Sequence, residues 1–178
     1  YYQHMNDHWD LDHPFERLLV ETKVTPDPNE VTWINPDLSL GETRKVITGI
    51  PGKTGIVYTL DRATGEFLWA TPTIEQNVVV DIDGATGEVT ENPEIIFREA
   101  EQMVFVCPTW LGGKDWEAGA YSPLTNVMYY PLRNTCANML ATGNFESDTA
   151  RALTEGGQGG LAIYQLAARH QLTPGTSN

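Results

Sequence analysis

One turn, written three times with variations, constrains this chain more than any other feature. In Gly55-Ile56-Val57-Tyr58-Thr59-Leu60-Asp61-Arg62-Ala63-Thr64-Gly65-Glu66-Phe67-Leu68-Trp69 two apolar-rich runs flank Asp-Arg-Ala-Thr-Gly. Asp61 and Thr64 can bond backbone groups inside the turn, Gly65 supplies a positive φ, and the β-branched and aromatic flanks suit strands, so the stretch predicts a β-hairpin. Ser122-Pro123-Leu124-Thr125-Asn126 repeats the pattern, with Asn126 in the place of Gly65 and Tyr130 in the place of Trp69. Asp83-Gly84-Ala85-Thr86-Gly87 carries the same turn, but Glu91 stands where the aromatic would be, which predicts a hairpin within an insertion around residues 74–102. Leu161-Ala162-Ile163-Tyr164 reads as the opening strand of a further unit.

Repeated hairpins of this kind predict an all-β chain that forms part of a β-propeller, in which each blade packs only on its neighbours. At roughly 40–50 residues per blade, residues 1–178 form a single partial domain of about three to four blades, too few to close a ring. The remainder of the propeller is therefore an expected partner. A loop-rich stretch, punctuated by Asp27-Pro28-Asn29-Glu30 and Asn35-Pro36-Asp37, runs from Glu21 to Lys45. Phe145 to Leu153, with Ser147 as N-cap, is the single helix candidate.

Composition excludes some classes of function. Eleven basic against 24 acidic residues give a net charge of -13, which repels phosphate backbones and anionic bilayers, so no nucleic acid is expected as a partner. No apolar run approaches the length of a membrane span, Met103 to Cys107 being among the longest, and Tyr1 to Asp10 carry neither a basic stretch nor an apolar one. The expectation is a soluble segment whose export signal, if there is one, is encoded elsewhere. Cys107 and Cys136 allow a disulfide, two buried thiols, or half of a metal site.

Polar residues are densest at the start, where His4, Asp7, His8, Asp10, Asp12 and His13 surround Trp9. His4 and His8 could bind a transition metal if helical, but Asn6, Asp7 and Pro14 argue against a helix. A plain surface loop is a second reading. In the third, Asp10 and Asp12 point the same way on an extended Asp-Leu-Asp and offer two carboxylates to a hard cation. Lys53 lies in Pro51-Gly52-Lys53-Thr54-Gly55, which lacks phosphate-loop spacing and on spacing alone reads as an exposed turn lysine.

His8-Trp9-Asp10-Leu11-Asp12 resembles the segment that bears the catalytic aspartate in pyrroloquinoline-quinone (PQQ)-dependent methanol and ethanol dehydrogenases. Gly52 to Asp61 resembles that family's strand after a basic residue beside the quinone carbonyl, and Asp61 to Trp69 its tryptophan-docking motif, which ties adjacent blades. Cys107-Pro108, Gly112-Gly113-Lys114-Asp115-Trp116, Tyr121-Ser122-Pro123 and Cys136 resemble its next blade, so the likeness covers most of residues 1–140.

The resemblance implies an internal segment of an eight-bladed periplasmic quinoprotein that oxidises a primary alcohol to an aldehyde. Asp10 would be the base that takes the hydroxyl proton while hydride passes to the quinone, and Lys53 would donate to the quinone oxygens. Asp10 and Asp12 would be metal ligands, and Lys53, Asp115 and Trp116 would contact the cofactor. Cys107 and Cys136 would form a disulfide, and a cytochrome c would be the electron acceptor. Asp115 departs from the family's Asn, and an acid there requires a proton or a cation beside it. Asp two positions after the catalytic one accompanies lanthanide use in the methanol branch, yet related glucose dehydrogenases carry the same pattern, so calcium and a lanthanide both stand. A PQQ-dependent sugar dehydrogenase and a non-catalytic propeller scaffold are the rivals; the scaffold has no need of the Asp10 or Lys114 segments.

Overall fold

Strand β1 (Leu18–Lys23) buries alternate residues, as an edge strand with one covered face does. It pairs antiparallel with β3 (Thr43–Gly49), β3 with β4 (Ile56–Asp61) and β4 with β5 (Phe67–Pro72), making a four-strand meander. The two-residue β2 (Trp33–Ile34) adds to the outer edge of β5. These elements come from a computed structural model that describes residues 7–99 and 101–141, and the backbone of 164–172. The central strand β4 is buried on both faces over most of its length, which is why Ile56, Val57 and Tyr58 follow one another without a polar break.

Each of the three turns forms a hairpin. Asp61 Oδ1 accepts from the amides of Ala63 and Thr64 at 2.8 and 3.2 Å, and Thr64 Oγ1 accepts from Glu66 N at 3.2 Å. Gly65 takes φ 80°, where a side chain would be strained. Between β6 (Val79–Ile82) and β7 (Val89–Glu91), Asp83 Oδ1 accepts from Ala85 and Thr86 at 3.0 and 2.7 Å, and Gly87 has φ 74°. The third turn joins β9 (Ala120–Ser122) to β10 (Val127–Tyr129), with Asn126 at φ 55°. Asn126 also donates to Thr22 Oγ1 at 2.8 Å, which holds this hairpin against β1.

β8 (Met103–Val106), β11 (Thr135–Ala141) and β12 (Tyr164–Leu172) form a second antiparallel sheet with β11 in the centre. A 3-10 turn at Pro93–Ile95 is the single helical element among the described residues, so the chain is all-β. The stretch read as loop-rich begins within β1 and ends within β3, because Glu21–Lys23 and Thr43–Lys45 pair with each other. The helix candidate 145–153 and residues 161–163 lie outside the described residues; Tyr164 opens β12.

The main core lies between the meander and the second sheet, where Ile56, Phe67 and Ala70 meet Val78, Ile82, Val104, Val106 and Met139. Trp9 and Leu11 belong to it, each with no exposed surface. Burying two large apolar side chains on the order of 2 kcal/mol each fixes the strand-free segment 7–17 on the meander. The residues between and after them, Asp10 and Asp12, are thereby held at the surface.

Candidate functional site

Segment 7–17 is shaped by its own polar groups as well as by its anchors. Asp7 Oδ1 accepts from Leu11 N at 2.9 Å and Trp9 N at 3.3 Å, and the Trp9 indole donates to Ile95 O at 3.0 Å. Asp10 takes φ 62°, so Asp-Leu-Asp is not the extended run expected from alternation. A left-handed residue turns the chain there, at a cost an Asp bears more easily than most side chains.

Both carboxylates nonetheless reach one ammonium group. Lys53 Nζ lies 3.2 Å from Asp10 Oδ2 and 3.4 Å from Asp12 Oδ2, and it donates to the Asp10 carbonyl at 2.9 Å. Lys53 is buried, not the exposed turn lysine that its spacing suggested, because neighbours cover it on two sides. On one side Lys53 N donates to Asp12 O at 2.9 Å. On the other, Gly113 N donates to Lys53 O at 2.7 Å, and Gly112 lies so close that a Cβ there would stand 2.6 Å from Lys53 Cγ. The Gly-Gly of residues 112–113 is thus what lets its loop lie on the lysine stem.

Burial raises the pKa of Asp10, and the Lys53 ammonium opposes that rise by charge and by hydrogen bond; Asp12 and Asp7 add to it. The net effect is a carboxyl group with raised proton affinity whose charged form Lys53 supports, a combination suited to accepting a proton.

Asp115 and Trp116 arrive on the loop that covers Lys53. Asp115 Oδ2 lies 3.7 Å from Arg133 Nη1, so the cation this acid requires is supplied within the chain. Its Oδ1 is buried without a hydrogen-bond partner. Trp116 is 79% exposed, its ring meeting Phe15 edge-on at 5.5 Å. Arg133 gave no signal in the sequence, since it reaches the loop from another strand connection; Arg133 N donates to Gly113 O at 2.7 Å and Nη1 to Leu111 O at 3.1 Å. Lys114 was visible only as the variable residue of a motif, yet it is fully buried against Glu16.

Cys107, just after β8, and Cys136, in β11, are bridged. Their sulfurs and the Glu75 carboxylate cluster within 4.8 Å, but joined sulfurs offer no thiolates, so the metal-site reading of this pair is overturned. His8 stacks on Phe97 at 6.0 Å and its Nδ1 accepts from Phe97 N, a packing role; His4 lies outside the described residues. Residues 7–17 contain no helix, and the pairing of His4 with His8 lies outside the described residues.

The fit to a hard cation and an acidic cofactor is partial but consistent. Asp10 and Asp12 converge on Lys53, and since calcium-like ions take six to eight oxygens, these two carboxylates would supply only part of a coordination shell.

Comparison with known proteins identifies the family of the chain. The chain is 34% identical over 140 residues to the XoxF dehydrogenase of Paracoccus denitrificans, a match covering 74% of the chain and 21% of that protein. It is 29% identical over 132 residues to a lanthanide-dependent methanol dehydrogenase of Methylacidiphilum fumariolicum, covering 74% of the chain and 19% of that protein. The chain thus spans about a fifth of the length of these relatives. Among solved structures, a europium-containing methanol dehydrogenase matches with a TM-score of 0.59 at 28% identity, over 77% of this chain and 21% of that one. A quinohemoprotein alcohol dehydrogenase from Comamonas testosteroni matches with a TM-score of 0.62 over 79% of this chain and 18% of that one; at 23% identity it shows the fold alone. These neighbours are β-propellers, and the described sheets are a partial segment of one. No protein-family model matches the chain.

Proposed function

Because this chain belongs to the PQQ-dependent alcohol dehydrogenases as one segment of their propeller, we propose that it supplies the catalytic base and part of the metal and cofactor site of an enzyme that oxidises a primary alcohol to an aldehyde. The observation that carries this reading is the convergence of Asp10 and Asp12 on Lys53 beneath the loop 112–116. A scaffold propeller has no need to hold two acids and a buried lysine together at its surface.

PQQ, when bound, supplies the two-electron oxidant, and a calcium or lanthanide ion supplies Lewis-acid polarisation. The chain's own residues do the rest. Asp10 Oδ2 takes the proton of the alcohol O–H as the carbinol carbon loses hydrogen with its electron pair and the C=O bond forms. Lys53 supports the charged form of Asp10 against burial and would offer its ammonium to the quinone oxygens. Asp10 and Asp12 hold the ion from this segment. Asp115, held at Oδ2 by Arg133, and the exposed face of Trp116 would contact the cofactor. A periplasmic setting agrees with the Cys107–Cys136 bridge, since disulfides persist in oxidising compartments. There a cytochrome c would receive the electrons.

Asp10→Asn in the full-length protein tests the assignment, because it removes the base and keeps the size. PQQ should remain bound while dye-linked alcohol oxidation falls about 100-fold or more. Undiminished turnover would overturn the role given to Asp10.

A further inference from the structure

Glu16 stands where the three segments of the candidate site meet. Its Oε2 accepts from Lys114 Nζ at 2.9 Å and its Oε1 from Gly119 N at 2.8 Å. The neighbouring Phe15 donates its backbone N–H to Pro51 O at 3.0 Å, next to the Gly52-Lys53 turn. The Phe15 ring faces the Lys114 ammonium at 4.5 Å and receives Trp116 edge-on. Lys114 has no exposed side-chain surface, and its third contact is the Asp115 carbonyl at 2.9 Å.

Stability alone accounts poorly for a lysine at that depth. Replacing a buried ion pair by apolar groups of similar shape is often neutral or stabilising, because the charges no longer have to be desolvated. What an ammonium provides and a methyl group does not is direction. Three groups must face Nζ at once, the Glu16 carboxylate, the Phe15 ring and the Asp115 carbonyl, and together they fix the backbone that carries Asp115 and Trp116. Arg133 holds the same loop through Gly113 O and Leu111 O. Gly113 N ties the start of the loop to Lys53 O, and Lys114 with Glu16 ties its continuation, through Gly119, to the segment that carries Asp10 and Asp12.

We propose that the Lys114–Glu16 pair is a positioning clasp that sets the cofactor-facing loop 112–119 against the Asp10–Asp12–Lys53 group. It rests on the assignment of those residues to the PQQ site, and neither member touches substrate or cofactor.

The test uses the full-length protein as Lys114→Met, Glu16→Gln and the double variant, each as apoprotein and loaded with PQQ and calcium. In the apoproteins, amide hydrogen exchange is followed at Gly119 and Lys53. In the loaded proteins, kcat is normalised to bound PQQ, so that loss of folded protein does not register. Each single variant should speed exchange at both amides and lower kcat per bound PQQ by 10-fold to 100-fold, the range expected of a misplacement near 1 Å. The double variant should be no worse than the worse single one. Wild-type exchange and kcat in Glu16→Gln, or additive effects in the double variant, would overturn the clasp. Glu16 is 44% exposed, so its variant decides the matter even if Lys114→Met does not fold. If the wild-type protein binds no PQQ, the cofactor reading fails. The exchange arm then still decides the clasp, since acceleration confined to Gly119 would refute it.

Discussion

Gly112→Ala places a methyl group where the loop lies on Lys53. The ideal Cβ would stand 2.6 Å from Lys53 Cγ, 2.7 Å from Lys53 Cβ and 2.8 Å from Lys114 O, and Gly112 holds φ 73°. Gly65→Ala is the matched control, since Gly65 has φ 80° and open space where its Cβ would go. Both variants lose about 1–2 kcal/mol to the left-handed backbone. Only Gly112→Ala adds overpacking, worth about 1–3 kcal/mol more, because the lysine stem is itself held by Asp10 and Asp12 and has little room to retreat. Thermal or denaturant unfolding of the full-length apoprotein should therefore rank Gly112→Ala clearly below Gly65→Ala. Spectroscopic PQQ content after reconstitution should fall for Gly112→Ala alone. Equal destabilisation, with full cofactor content in both, would refute the contact between loop and lysine.

Replacing Cys107 and Cys136 by Ser removes a link across 29 residues. The chain-entropy model puts the loss at about 3.6 kcal/mol, readable as a lower denaturation midpoint, and the unreduced wild type should show no free thiol from this pair. Asp61 has its pKa lowered from 3.8, first by the Ala63 amide, then by Thr64 and Arg44, against the opposing effect of burial. Its unfolded form holds the proton more tightly, so its charge stabilises the fold above the ordinary value and that contribution is lost as pH falls through the folded one. The stability gap between wild type and Asp61→Asn should therefore be full at neutral pH and close in acid; a gap independent of pH would contradict it. Asp12→Ala should weaken lanthanum-supported activity more than calcium-supported activity, because a trivalent ion gains more from an added carboxylate. Unchanged activity with lanthanum would remove Asp12 from the ligand set.

The turns were legible because their chemistry is local. Asp61, Thr64 and Gly65 bond within the turn they form, and Asp83 to Gly87 repeat the same contacts. Lys53 was less legible. Its spacing describes an exposed turn, and its burial comes from Gly112 and Asp12, which are distant in sequence or fixed by other anchors. Arg133 and Glu16 left no trace at all, since each acts through contacts made only after the second sheet and segment 7–17 have docked on the meander. Asp10 shows the limit of periodicity. Alternation put Asp10 and Asp12 on one side of an extended run, but the left-handed turn at Asp10, not an extended strand, brings both acids to Lys53.

The absorption spectrum of the intact native protein, before and after denaturation, tests most directly that this segment helps build a quinone site. A quinone band in the native protein, with about one equivalent of PQQ released on unfolding, is the expected result. A protein that shows no such band, and takes up no PQQ when supplied with calcium or lanthanum, would contradict it.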